Sequence, residues 1–334
     1  MNPKSASWPL AKPLELIPNT GATRTGGADP TGFVRGGRVW RAAYYPTGPS
    51  SLAMWTTGDA LHAQAWGPGA AEALMAVPDL SGLADNAEDF VASHHPLVRD
   101  VAHRRPGVRL VRTESIFDAA VRTVLAQKVT GLQAKQSYQA LARRSGVPAP
   151  LDRVSRRPLL LPPTPDAVLR ALAGHGATAL GIDATRAATL RELALIPEHL
   201  AEWSATPASE AARARASLQQ VPGVGEWTAN VITAIALGDP DAVPVGDFHI
   251  KNYVAYALTG APRGTDEYMV ELLEPFRPHR ARALRFILLS GLRPPRYGPR
   301  MEIPAHVPGP FTDRAPLRGA AGRSRPSRTR RRTR

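Results

Sequence analysis

The run Leu218-Gln219-Gln220-Val221-Pro222-Gly223-Val224-Gly225-Glu226-Trp227-Thr228-Ala229-Asn230, with Val243-Pro244-Val245-Gly246-Asp247 beyond an apolar stretch, organises the chain. Residues 208–220 are rich in Ala, Arg and Gln and predict a helix, which Pro222 and Gly223 stop. Gly223 and Gly225 supply backbone that tolerates positive φ and has no side chain to obstruct a ligand. A second helix starts near Glu226, with Val231, Ile232 and Ile235 apolar at helical spacing. A tight turn of this kind leaves unpaired N–H groups at the start of the second helix, and the helix dipole adds to their pull on an anion. Such an arrangement suits a phosphate of a nucleic-acid backbone and carries no base-sequence information. A bare Gly-x-Gly is more often an ordinary helix connection with a glycine cap. Here the signal is longer and is followed by Asp247.

The 334 residues are enough for two or three domains, and the 43% of hydrophobic residues is ordinary for a globular protein. No run of eighteen apolar residues exists, so no membrane span is expected. The opening Met1-Asn2-Pro3-Lys4 lacks a signal peptide's apolar segment, and the expected compartment is the cytoplasm of a high-GC bacterium. Cysteine is absent, which removes disulfides, a thiol nucleophile and thiolate-held zinc or iron–sulfur centres from consideration. Residues 314–334 hold nine arginines and no acid, leaving only +5 of the net +14 for the remainder. That tail reads as a disordered arm able to add salt-sensitive affinity for nucleic acid.

In chain order, residues 1–95 predict a small α+β domain. Residues 38–45 and 50–55 are aromatic and branched runs separated by Pro46-Thr47-Gly48-Pro49, a hairpin signature, with a third strand at 61–66 and a helix at 70–77. Residues 96–300 predict an all-helical body. Its helices cover 113–127, 130–144, 164–174 (capped by Thr164), 184–196 (capped by Asp183), 208–220, 226–237, 248–258, 265–276 and 279–290. Residues 145–163 read as a Pro- and Arg-rich loop, and 301–334 as a Pro/Arg-rich tail.

Asp247 follows a glycine and precedes a helical run, so helix capping is its default role. Capping and catalysis are compatible. A carboxylate fixed at a helix N-terminus is a negative charge suited to stabilising a sugar oxocarbenium ion. At about 4 Å and an effective dielectric near 20 that attraction is of order 4 kcal/mol, or roughly a thousandfold in rate. His94, His95 and His249 lack metal-ligand spacing.

Residues 221–229 together with Val245-Gly246-Asp247-Phe248-His249-Ile250-Lys251 resemble the helix–hairpin–helix DNA glycosylases, most closely their 3-methyladenine glycosylase II branch. Residues 119–134, containing Gln127-Lys128-Val129-Thr130, resemble a helix of the same family. The resemblance implies a mainly α chain with a small N-terminal α+β domain, a two-lobed helical body with the hairpin at 208–237, and a cleft between the lobes. It implies Asp247 as the catalytic aspartate, with Trp227, Gln127 and Leu288 around the base pocket. Gly223, Val224, Gly225, Thr228, Lys128 and Lys251 would contact DNA. Backbone carbonyls of Gln219, Val221 and Val224 would hold a monovalent Na+ or K+; no organic cofactor or catalytic metal is implied. Bifunctional glycosylase/lyases carry a lysine where this chain has Trp227, and tryptophan cannot form an imine. The expectation is therefore a monomeric, monofunctional enzyme that flips an alkylated purine out of double-stranded DNA and hydrolyses its N-glycosidic bond. An indole face also attracts a cationic base.

Two departures from the family pattern stand out. Lys128 occupies the place of an apolar wedge, and Leu288 that of a second pocket aromatic. Arg282 and Arg285 are further candidates for backbone contacts. The alternatives are a non-catalytic helix–hairpin–helix DNA-binding protein, for which Gly223 and Gly225 suffice, and a glycosylase for another damaged or mismatched base.

Overall fold

The computed structural model describes residues 2–150 and 158–295. The expectation of a disordered arginine-rich tail falls outside them. Five antiparallel strands, β1 (Lys4–Pro9), β2 (Gly32–Arg35), β3 (Arg38–Tyr45), β4 (Gly48–Thr57) and β5 (Ala60–Trp66), form one sheet in the order β1-β5-β4-β3-β2. The period-2 alternation gives the sheet two apolar faces. Val39, Leu52, Met54, Leu61 and Ala63 point to helices α1 (Ala70–Met75) and α2 (Val77–Ser81), where they meet Ala70, Ala73, Val77 and Leu80. Phe33, Trp40 and Trp66 line the opposite face, with Trp40 stacked on Trp66 at 5.7 Å. That face is covered by Ala149, Leu159 and Leu161, which lie in the described parts of the stretch that reads as a loop.

Two separate hydrophobic cores follow. The first joins α4 (Ile116–Val124), α5 (Gly131–Ser145), α6 (Pro165–Ala171), α7 (Ala184–Ala194), α8 (Pro197–Ser204), α9 (Ala211–Leu218) and α10 (Glu226–Ala236). The second joins α3 (Pro96–Arg104) to α11 (Ile250–Thr259), α12 (Asp266–Leu273) and α13 (Arg280–Leu289). Local sequence sets most helix ends. Thr164, Asp183 and Thr265 each accept an N–H from the first turn of α6, α7 and α12, and Thr130 with Gln133 closes a capping box on α5. Gly146 ends α5 in the left-handed region.

Some expected bounds shift. The helix expected over 113–127 starts only at Ile116, because Ser115 caps it, and stops at Val124, so Gln127 and Lys128 lie on a turn. Among the described residues no helix is long and apolar enough to cross a membrane.

Buried guanidinium groups hold the sheet and the lobes together. Arg122 on α4 reaches Asp29 at 2.8 Å and Asp118 at 3.1 Å, and its ring neighbour Tyr138 lies 4.0 Å beneath it. Burial alone would raise the Asp29 carboxyl. The Arg122 charge and the N–H groups of Thr25 and Thr31 outweigh burial and hold it below the ordinary carboxylate range. Arg282 on α13 grips Asp85 through two bonds of 2.6 and 2.7 Å, and Arg285 donates to the carbonyl of Pro18. Both arginines are candidates for DNA contacts in the sequence; Arg282 is buried in its ion pair, and Arg285, partly buried, is held by the Pro18 carbonyl.

Candidate active site between two helical lobes

α9 and α10 meet at the Gly223-Val224-Gly225 turn, and Val221 and Val224 anchor it by burying their side chains in the first core. Gly223 has φ +84°, and a Cβ there would fall 1.9 Å from the Thr189 hydroxyl on α7. Both facts require glycine. The Val224 N–H is turned inward, donating to Val221 O at 3.0 Å. Gly225 is different. It precedes α10 with no side-chain cap, and no atom lies within 4 Å of where its Cβ would be. Gly225 and Glu226 are exposed, and no side chain caps the first N–H groups of α10.

Twenty residues on, the chain crosses from the first lobe to the second. Val243 and Val245 pack on the second core, Gly246 turns with φ +89°, and Asp247 follows. One carboxylate oxygen of Asp247, Oδ1, accepts the N–H groups of His249 at 2.8 Å and Ile250 at 3.0 Å, capping α11 from two residues upstream of its formal cap. The other, Oδ2, accepts the indole N–H of Trp227 at 3.1 Å. Trp227 belongs to α10 in the first lobe and Asp247 to the start of α11 in the second. This hydrogen bond spans the two lobes and fixes the plane of the carboxylate.

The other expected site residues fall into two groups. Leu288 packs at the margin of the second core, the core that Val245 and Ile250 also edge. Lys128 is exposed, on a turn where its φ is +54°. By contrast, Gln127 donates both amide hydrogens to the hairpin, to Gly223 O at 3.0 Å and to Thr228 Oγ1 at 2.9 Å. Thr228 is 3% exposed, so its hydroxyl lies beneath the hairpin and not on its outer surface. Lys251 pairs with Asp266 at 2.9 Å, and the same carboxylate takes the Gly246 N–H at 3.0 Å. Lys251 thereby braces the Asp247 turn. Burial would raise the Asp266 carboxyl, but its bonds to Lys251 and Gly246 hold it below the usual range. Among the described residues no cluster of His, Asp and Glu could hold a metal ion.

Sequence reading passed over Phe248, which is 79% exposed and follows Asp247 directly. Leu132, half exposed on the first turn of α5, was also passed over. The available signal was position: an apolar side chain beside a candidate acid or a candidate wedge, outside the buried stripe of its helix.

The architecture superposes on the 3-methyladenine DNA-glycosylase from Archaeoglobus fulgidus with a TM-score of 0.72, over 85% of this chain and 98% of that one, at 17% identity. The chain has the helix–hairpin–helix DNA glycosylase fold. The Clostridium acetobutylicum 8-oxoguanine glycosylase/lyase bound to double-stranded DNA shares this fold, with a TM-score of 0.65 over 86% and 95% of the two chains and 15% identity. In sequence, the chain is 33% identical over 159 residues to the probable bifunctional transcriptional activator/DNA repair enzyme AlkA of Mycobacterium tuberculosis. The match takes in 47% of this chain and 30% of that protein, so the chain spans less than a third of its curated relative. No family model matches the chain. Within a helix–hairpin–helix glycosylase fold, the Trp227–Asp247 contact lies at the junction of the hairpin helix and the second lobe.

Proposed function

We propose that this chain is a monofunctional DNA glycosylase that excises alkylated purines of the 3-methyladenine or 7-methylguanine type from double-stranded DNA. The observation that carries the reading is the Asp247 carboxylate, held in one plane by two helix N–H groups and the Trp227 indole, close to an uncapped helix N-terminus. The hairpin grips a backbone phosphate through the open amides of α10, and the flipped nucleotide meets Asp247. As the N-glycosidic bond lengthens, positive charge grows on the sugar, and the fixed carboxylate stabilises it. The bond's electron pair leaves on the cationic alkylated purine, which departs neutral; water, oriented by a remaining lone pair of Asp247, adds to the sugar carbon and gives its proton to that carboxylate. An alkylated purine is already a good leaving group, so a strong general acid is not required.

Trp227 has no amine to form an imine, and Lys251 is paired with Asp266, which supports hydrolysis without strand cleavage. The activity named for the A. fulgidus structure and the DNA repair role named for the mycobacterial relative agree with this reading. The likeness to an 8-oxoguanine glycosylase/lyase favours a second reading, excision of an oxidised base. The carbonyls of Gln219, Val221 and Val224 suit a monovalent cation, being neutral oxygens; Val221 O accepts one N–H and keeps a second lone pair. A cation there would lend positive charge to the phosphate grip from below.

The test is incubation with methylated duplex DNA and chromatography of released bases. Free 3-methyladenine or 7-methylguanine with unbroken strands is the expected result, absent in Asp247→Asn. DNA binding without base release would leave a non-catalytic binder, and spontaneous nicking would contradict the monofunctional assignment.

A further inference from the structure

Gln127 lies 96 residues from Gly223 and 101 from Thr228, yet its amide donates to both, at 3.0 and 2.9 Å. The two acceptors stand on opposite sides of the Gly-Val-Gly turn, Gly223 where the chain enters and Thr228 on the first turn of α10. One side chain therefore braces both ends of the hairpin. Its own position is fixed in turn. The Gln127 N–H donates to Val124 O at 3.1 Å, and the buried Arg186 of α7 donates to Leu125 O at 3.0 Å. One turn along α7, Thr189 presses against Gly223. The residue next to Gln127 is Lys128, exposed and in the left-handed region, a conformation that a non-glycine residue keeps only where its neighbours impose it.

We propose that Gln127 is a positioning residue. Its amide locks the hairpin to the exposed turn bearing Lys128, so that seating a phosphate on the hairpin drives that turn against the base stack. The proposal rests on the reading of this site as one that extrudes a nucleotide. It deepens that reading by making the phosphate grip and the opening of the duplex one mechanical event. Gln127 then serves opening more than chemistry, and its loss discriminates between a base that must be unstacked and one that is already loose.

The experiment compares wild type with Gln127→Ala on two DNAs, one with 2-aminopurine in a paired site and one with it in a single-nucleotide bulge. Fluorescence on protein binding reports unstacking without any base release. Base release from the matching methylated paired and bulged substrates is measured alongside. Gln127→Ala should lose on the order of tenfold in flipping and in kcat/KM on paired DNA, and less than about threefold on the bulge. Thr228→Val, which keeps shape and removes one acceptor, should shift the paired-to-bulged ratio the same way, and the double variant should add little to Gln127→Ala. Thermal melts of each variant report folding, and a folding defect would lower both substrates equally. Equal losses on paired and bulged DNA, or additive effects of the two substitutions, would overturn the proposal. So would a wild type that binds paired DNA without raising fluorescence. A wild type that flips the base but releases none would defeat the glycosylase reading and leave the role of Gln127 measurable.

Discussion

Two helix N-termini flank the candidate site, and they are finished in opposite ways. α10 begins after the exposed Gly225, with no side chain capping its first amides. α11 begins under the Asp247 carboxylate, which takes two of its N–H groups. The same dipole and the same orphan amides are present at both ends. Under the proposed function, the first end would receive an anion from outside, and the second, which carries its own, would present it toward a developing cation. The Trp227 indole joins them, since it sits on the first turn of α10 and donates to the acid that caps α11. A phosphate site and a fixed negative charge would repel each other in an unstructured surface; distributing them over two helix ends keeps each stabilised by its own amides.

The difference can be broken most severely at Asp247. Asp247→Asn keeps one oxygen to cap α11 but turns an NH2 toward the Trp227 indole N–H, so thermal melts should show a loss of about 1.5–3 kcal/mol with the fold retained. Base release should fall about a thousandfold, as expected for removing one charge near a cationic transition state. Retained turnover in that variant would reduce Asp247 to a cap. Trp227→Phe keeps an aromatic ring and removes the N–H to Oδ2. A lost bond to a charged acceptor is worth about 1.5–3 kcal/mol, so kcat should drop roughly ten- to a hundredfold. Unchanged kcat would show that the indole N–H does not orient the acid.

The α10 end is sharpened by comparing its two glycines. Gly223→Ala meets both a positive φ and the Thr189 hydroxyl, and urea unfolding should show a loss of about 2–4 kcal/mol. Gly225→Ala enters open space at φ −87° and should change stability by less than about 0.5 kcal/mol while weakening affinity for duplex DNA. The smallest effect concerns pH. Asp266, which holds Gly246 and Lys251 behind Asp247, has its carboxyl below the unfolded range. Its support is full above about pH 4 and is lost as acid drives the pH down through the folded value. The stability gap between wild type and Asp266→Asn, followed by thermal melts, should therefore shrink below about pH 4. The Gln127 brace on the other helix end has no titrating group and should give a gap independent of pH over that range.

Local features were the legible ones. The hairpin, the caps Thr164, Asp183 and Thr265, and the central strands all declare themselves through nearest neighbours in sequence. β1 and β2 did not, because β1 is a polar edge whose identity comes from pairing with β5, and β2 has only four residues. Asp247 was visible as a cap and, through family resemblance, as an acid; its bond to Trp227 crosses two cores and has no local signature. The partners of Arg282, Lys251 and Gln127 were illegible for the same reason. Asp85 lies 197 residues from Arg282, and an exposed arginine on a helical pattern looks the same before its acid is found.

If Asp247 is a preset negative charge facing the sugar of a nucleotide whose phosphate α10 holds, the protein should distinguish two duplexes, one with a neutral tetrahydrofuran abasic analogue and one with a cationic pyrrolidine in its place. Binding of the cationic duplex should be at least about tenfold tighter, a preference that disappears in Asp247→Asn while affinity for the neutral duplex stays the same. Equal affinity of the wild type for both duplexes, or a preference that survives in Asp247→Asn, would contradict it.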